Sequence, residues 1–520
     1  MSSDTPEKPS GGGAWITLEE TMSTMSPEKI KSEKHRHDVG LILGPVLFAI
    51  ILLIPMGELT IKANLAIGLT AWIMVWWITE PIPIPATALF GAALFILFQV
   101  IPAPTIMNQL GNSNTWYLIA TFIFMNALVK QGFATRVAYW LLSRKIGRRS
   151  PYHLLGLYVF SVGFVSIWLS NMACTMLFLA ISAGMIEALQ ITSDHKMSQA
   201  MRLGAAYSSQ AGGFGTPMGS AGTNFLTIGL ITSLAGYSFT VGSWIKAGFP
   251  FAILMIIVVI FYFRAIFKLD LPNYQAACDH AKNKLDSMGK MKKGEVRAVI
   301  IVLCVLVCWL MPDFFQAIFG AQAQITVTAK SILNSATVAI IGAVLCFLVP
   351  VEHKERKYII NWTEANRYID WGALLLVTCG LIMGAALADE NVGVLNAVAT
   401  VVGNALGNVP EFVGVLVLIG IAVVLTQFIA NVPAISIMLP VSYAIAIAIG
   451  LNPVALLLSV GFACQQSYMT PAAAPQMAFT YGTGSIPMIN FIKYGGFLAL
   501  ISIFVTTFAG YYFAAMLFPM

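Results

Sequence analysis

A chain of 520 residues that is 58% hydrophobic and only 10% charged, with a mean hydropathy of +0.80, is not built for solution in water. Soluble domains carry about 25% charged residues, and a chain this poor in them cannot clothe its surface with polar groups. The net charge of +6 would suit a nucleic-acid binder by itself, so its distribution along the chain has to decide what it means.

In chain order, residues 1–38 are polar and include a Gly11-Gly12-Gly13 run; they are expected to form a disordered cytosolic tail. No small-residue cleavage site accompanies the apolar run that starts near Val39, so 39–60 is expected to hold a first span rather than a signal peptide. Apolar runs between Gly, Pro and charged breakers predict spans at 39–57, 63–79, 86–101, 116–142, 199–234, 244–266, 296–312, 334–351, 371–402, 452–484 and 489–516. The runs are continuous, without the alternation of barrel strands, so helix is the expected form. Two more apolar segments, 154–190 and 412–449, are interrupted by Asn171 and Asn431 and are read as re-entrant hairpins. The fold class is therefore all-α and polytopic, with eleven spans plus two hairpins.

With the N-terminus in the cytosol, 24 of the 29 basic residues fall in cytosolic segments; Lys62, Lys130, Arg136, Lys246 and Lys330 are left over. This is the positive-inside pattern. The basic patches face the lipid bilayer and its anionic head groups, not a nucleic acid, and the C-terminus is expected outside the cell membrane.

The two halves, 61–267 and 296–518, carry matching landmarks on either side of a cytosolic linker at 268–295. Ser335-Ala336-Thr337 echoes Pro85-Ala86-Thr87, and Trp371 opens a long span as Trp116 does. The hairpin asparagines follow, then Thr216-Pro217 and Thr470-Pro471 inside the long segments 199–234 and 452–484. Trp-to-Asn spacings are 55 and 60 residues, and Asn-to-Thr spacings 45 and 39. Each half holds five crossings and one hairpin; five is odd, so the second half is expected upside down relative to the first. Inverted repeats with interrupted helices are an architecture of secondary transporters.

Glycines and Pro217 in 205–227, and Pro471 and Pro475 in 463–484, cannot sustain regular helix. Unwound backbone at membrane depth survives only when buried or lining a cavity. It offers carbonyls to a cation and new helix N-termini to an anion. Residues 161–186, 205–233 and 413–489 contain no ionisable side chain except Cys and Tyr, which suits Na⁺ better than proton coupling. An intramembrane enzyme, the alternative of another class, would need His or carboxylate groups at depth. The histidines at 35, 37, 153, 195, 280 and 353 all fall in segments read as cytosolic. The seven cysteines show no disulfide or metal-site spacing. No enzyme activity is expected.

At these hairpin tips and breaks the chain resembles the divalent anion:sodium symporter family (solute carrier family 13 and its bacterial relatives) over residues 40–518. The resemblance implies a homodimer with a scaffold domain and an elevator-type transport domain, Na⁺ as co-transported ion and no organic cofactor. It implies a first sodium site at Ser166, Ser170, Asn171 and the backbone of Gly219, and a second at Thr426, Asn431 and backbone oxygens near Ile429 and Ala473. The small anionic substrate would meet Asn171, Met172, Ser220, Asn431, Val432, Ala474 and Pro475. The family's Ser-Asn-Thr tips have here become Ser170-Asn171-Met172 and Ala430-Asn431-Val432, and Thr-Pro-Pro-Asn has become Ala474-Pro475-Gln476-Met477. Amides at Gln210, Gln465, Gln466 and Gln476 flank the breaks instead. The expected function is Na⁺-coupled symport of a di- or tricarboxylate-like or related anion, with Na⁺-independent exchange as the alternative. The lost hydroxyls shift the expected substrate toward an anion with an apolar or less charged portion.

Overall fold

The computed structural model describes residues 27–53, 60–395, 397, 410–471 and 473–519. Apart from one two-stranded ladder, the regular structure there is helical. The first half runs α1 Pro27–Leu53, α2 Ile61–Thr79, α3 Ile84–Leu97, α4 Ala103–Leu110, α5 Ser113–Lys130, α6 Phe133–Leu142, α7 Pro151–Ser166, α8 Asn171–Ala188, α9 Lys196–Gly212, α10 Ala221–Ala235 and α11 Val241–Ile266. The linker holds α12 Gln275–Ser287. The second half runs α13 Lys293–Phe319, α14 Gln324–Ile332, α15 Ser335–Leu348, α16 Trp362–Tyr368, α17 Trp371–Ala388, α18 Glu411–Leu425, α19 Asn431–Ile449, α20 Pro453–Ala463, α21 Pro475–Gly482 and α22 Met488–Val505. A π-helical stretch, Thr506–Tyr512, carries α22 into α23 Phe513–Leu517. The antiparallel pair β1 Pro350–Glu352 and β2 Lys357–Tyr358 lies between α15 and α16.

Eight of these helices are long and apolar enough to cross a bilayer, or ten if each bent pair is one span. The eleven expected spans exceed this because α3 has 14 residues, α10 has 15 and α20 has 11. At about 1.5 Å per residue none of the three covers a hydrocarbon core of about 30 Å alone. The second arms of the segments read as re-entrant hairpins, α8 with 18 residues and α19 with 19, do reach that length. The helix expected at 371–402 ends at Ala388, and 396 and 398–409 lie outside the described residues. α1 begins at Pro27, inside the stretch expected to be a disordered tail; residues 1–26 lie outside the described ones.

Span 116–142 is not one straight helix: α5 and α6 meet at a 60° bend. Gly132, in the left-handed region at φ 84°, allows the turn. The bend places Lys130 against Glu364 of α16, and Arg136 against Glu295 of α13 at 2.9 Å. Two of the basic residues left over by the charge pattern therefore sit with segments read as cytosolic. Arg136 also donates to the Gly289 carbonyl at 2.7 Å, and Arg148 pairs with Asp279 at 2.5 Å, so the linker helix α12 is tied to the first half.

Local chemistry explains each break. Pro151, Pro453 and Pro475 sit in the first turns of α7, α20 and α21, where a missing N–H costs nothing. Ser170 caps α8, its Oγ accepting from Ala173 N at 3.3 Å. α9 packs into the first hairpin so closely that a Cβ on Gly212 would lie 2.1 Å from the Gly163 carbonyl oxygen. In the second half, α22 lies on the break after α20, where a Cβ on Gly495 would be 2.1 Å from the Tyr468 carbonyl oxygen. The halves also pack on each other: α3 lies on α17, and α15 on α5. Between them α10 lies against both α17 and α19.

Candidate cation and anion site

The first hairpin turns back between Ser166, the last residue of α7, and Asn171, the first of α8. Ser166 is fully buried, and its hydroxyl donates to the Ser209 carbonyl of α9 at 2.9 Å. One edge of the Asn171 amide lies 2.9 Å from Ser166 Oγ, 2.9 Å from the Ser209 carbonyl oxygen and 3.3 Å from the Gly219 carbonyl oxygen; as Nδ2 it donates to them, as Oδ1 it adds a further oxygen to them. With Oδ1 on that edge, four oxygens, two of them from the broken segment, face one another out of water. Neutral oxygens so placed suit a small monovalent cation. The opposite edge of the amide is 3.4 Å from Ser220 Oγ.

The second hairpin repeats this geometry. Thr426 is fully buried; its hydroxyl lies 2.9 Å from Asn431 Oδ1 and 2.5 Å from the Cys464 carbonyl oxygen of the second break. The hydroxyl-to-asparagine interval is five residues in both tips. Each Thr-Pro threonine makes the same contact as its counterpart: Thr216 Oγ1 donates to the Ile167 carbonyl at 2.5 Å, and Thr470 Oγ1 to the Gln427 carbonyl at 2.6 Å.

Of the residues named from the sequence, Ser166, Asn171 and Gly219 come together in the first oxygen cluster, and Thr426 and Asn431 in the second. Ser170 instead spends its hydroxyl on the α8 cap. Ile429 is buried within the second tip and Ala473 within the second break; the break oxygen bonded to Thr426 is that of Cys464. Sequence reasoning missed the carbonyls of Ser209 and Cys464, which carry no side-chain mark. It also missed Gln427. The Nε2 of Gln427 donates to the carbonyls of Val423 at 2.6 Å and Gln466 at 2.7 Å, while Oε1 accepts from Tyr468 N at 2.8 Å and Met469 N at 3.0 Å. A polar side chain within an uncharged tip was the signal that could have found it.

New helices start at Asn171, Ala221, Asn431 and Pro475, so four N-termini with free amides border the breaks. Ser220 is the N-cap of α10 and Ala474 that of α21. Met172 and Val432 are half-buried beside the two asparagines, Ala474 is buried and Pro475 exposed. The glutamines join the two breaks. Gln476 donates to Gln210 Oε1, and Gln210 Nε2 to the Gln465 carbonyl and, at 3.2 Å, to Ser467 Oγ. Gln466 Nε2 reaches Thr506 Oγ1 in the π-helical stretch at 2.5 Å. Among the described residues no group of three or more His, Cys, Asp or Glu could hold a metal ion.

Residues 35–520 match the family model described as the sodium:sulfate symporter transmembrane region. The chain belongs to this family. It is 30% identical over 485 residues to a sodium-dependent dicarboxylate transporter, SdcS, of Staphylococcus saprophyticus, with 91% of each chain covered. It is 28% identical over 489 residues to SdcS of Staphylococcus aureus, over 91% of this chain and 90% of that one. Among solved structures it resembles the YdaH transporter of Alcanivorax borkumensis at a TM-score of 0.53 and 11% identity, over 85% of this chain and 97% of that chain; this likeness concerns the fold alone. As a member of the symporter family the protein is an integral membrane transporter and not an enzyme.

Proposed function

We propose that the protein is a symporter that couples the inward Na⁺ gradient to uptake of a small organic anion, a dicarboxylate foremost. The observation that carries the reading is the pair of matched oxygen clusters, Ser166–Asn171–Ser209–Gly219 and Thr426–Asn431–Cys464, each closed by a hairpin tip and a helix break. Each holds one Na⁺ as cargo, with Ser170, Ile429 and Ala473 at their edges. The names of the staphylococcal relatives supply the substrate class. Each asparagine can give its oxygen to the cation and its NH₂ to the anion, so substrate binding follows sodium binding. The anion is met by Asn171, Ser220, Asn431 and the amides that start α8, α10, α19 and α21, near Ala474 and Pro475. Met172 and Val432 offer it methyl and methylene surface, which favours an anion whose carboxylates flank an apolar portion.

The matched contacts, with the reciprocal packing of α3 on α17 and α15 on α5, support two inverted repeats. On that reading α7–α11 and α18–α23, which pack on one another, move as the transport domain against a scaffold of the remaining long helices, in a homodimer with cytosolic N-termini. Uptake of radiolabelled succinate into proteoliposomes tests the function. An inward Na⁺ gradient is expected to drive accumulation that choline cannot support. Equal uptake without Na⁺, driven by internal substrate, would assign exchange instead.

A further inference from the structure

An Asn amide can turn either edge toward its neighbours, and the two edges of Asn171 would do opposite things. With its oxygen toward Ser166 Oγ, Ser209 O and Gly219 O, the first cluster is a cation cage. With the amide rotated, Nδ2 donates to those same three atoms, at 2.9, 2.9 and 3.3 Å, and the cluster satisfies itself without an ion. Local bonding alone favours the second arrangement. What holds the first lies further along a chain of hydrogen bonds whose polarity can be traced from a fixed end.

Asn224 Nδ2 faces two carbonyls, those of Gly213 and Thr216, both at 2.9 Å, so its amide can stand only one way. Its Oδ1 therefore faces Gln465 Nε2 at 3.1 Å, and that nitrogen also donates to the Gly461 carbonyl at 3.1 Å. Gln465 is fixed in turn, with Oε1 toward Thr223 Oγ1 at 2.6 Å. The Thr223 hydroxyl also lies 2.9 Å from the Ser220 carbonyl, but that oxygen already accepts from Asn224 N at 2.9 Å, whereas among the described residues Thr223 is the donor that reaches the buried Gln465 oxygen, so its one proton goes there. Thr223 can then only accept from Ser220, whose Oγ lies 2.7 Å away. Ser220, its proton spent, can only accept from Asn171, and the amide edge that suits this contact at 3.4 Å is Nδ2. The opposite edge, the oxygen, is left facing the cage.

We infer that Thr223, Gln465 and Asn224 are positioning residues that set the Asn171 amide for cation binding without touching the cation or the anion. The inference rests on the sodium reading of the cluster and deepens it. Gln465 belongs to the second break and adjoins Cys464, whose carbonyl is bonded to Thr426 of the second cluster. The first cage thus depends on the placement of a segment from the other half of the chain, a direct physical route for the two cations to bind cooperatively.

The test is Thr223→Val, with Thr223→Ser as the variant that keeps the hydroxyl and Thr223→Ala as a smaller replacement should valine impair insertion. Na⁺ dependence is read twice in the full-length protein, from proteoliposome uptake and from thermal stabilisation in detergent. Without the Thr223 acceptor, Ser220 can donate to Asn171 and the amide turns its NH₂ into the cage. The half-saturating Na⁺ concentration is expected to rise about tenfold or more, the Hill coefficient to fall toward one, and substrate affinity at saturating Na⁺ to stay within about twofold. Thr223→Ser is expected to behave as the wild type. Inserted Thr223→Val or Thr223→Ala protein with wild-type Na⁺ dependence would overturn the relay. A wild-type protein with no Na⁺ dependence would instead overturn the sodium reading on which the relay rests.

Discussion

Replacing Thr426 with valine keeps the shape of a fully buried side chain and removes a single oxygen. That oxygen bonds the Cys464 carbonyl at 2.5 Å and lies 2.9 Å from Asn431 Oδ1, so its loss leaves two acceptors facing each other with no proton between them. An unsatisfied buried acceptor costs about 1–3 kcal/mol, which should lower stability with or without sodium. The second effect appears only with the ion: a bond to a charged group is worth about 1.5–3 kcal/mol. At 1.4 kcal/mol per decade this is a loss of about 10- to 150-fold in Na⁺ affinity. A Na⁺ concentration of 100 times the wild-type dissociation constant stabilises the wild type by about 2.7 kcal/mol, and a tenfold weaker variant by about 1.4 kcal/mol. Melting of the detergent-purified protein across NaCl titrations, with choline chloride holding ionic strength constant, separates the two effects. Thr426→Ser should restore the titration. A valine variant with a lowered melting temperature but an unshifted sodium titration would show that Thr426 is a structural hydroxyl and not part of a cation cage.

Substrate choice should respond to the tips: Met172→Thr combined with Val432→Thr is expected to tighten succinate binding by at least about tenfold, the worth of a bond to a carboxylate. Competition against labelled substrate by succinate, citrate, sulfate and monocarboxylates reads this, and micromolar succinate affinity unchanged by the double substitution would remove these positions from the specificity set. Single cysteines replacing Lys145 and Asn361, both exposed, should react with impermeant maleimide only from the cytosolic face; labelling of either from outside would reverse the assignment of sides.

The landmarks of the site were legible because they are rare in their surroundings. An Asn in the middle of an apolar run, or a Gly- and Pro-rich stretch without any charged side chain, has no place in ordinary membrane helix. The fold turns both asparagines and both Thr-Pro pairs inward at matching positions. What escaped was written in the backbone. Any residue carries a carbonyl, so nothing in the letters Ser209 or Cys464 marks theirs as the ones bonded to the tip hydroxyls. Three-dimensional closeness also overrode pattern at Lys130 and Arg136, which sit within an apolar stretch yet emerge at a 60° bend beside acidic partners. The glutamines were visible as amides near the breaks, but not that they bond chiefly to one another and to backbone. Only the chain's path brings Gln210 to Gln465, 255 positions away.

The seat of α22 on the second break limits how this sequence can drift. Tyr468 is held on one side by Gln427, which accepts from its N–H at 2.8 Å, and pressed on the other by Gly495, where even a methyl group would stand 2.1 Å from its carbonyl oxygen. Neither wall can yield alone, since retreat of the peptide breaks the glutamine bond and retreat of the helix opens a gap in apolar packing. Position 495 is therefore closed to gradual change, and a side chain could enter there only together with a compensating change at 427 or in the loop between. The C-terminal helix, remote in sequence from both hairpins, is in mechanical terms part of the same block as the second tip, and whatever displaces one carries the other.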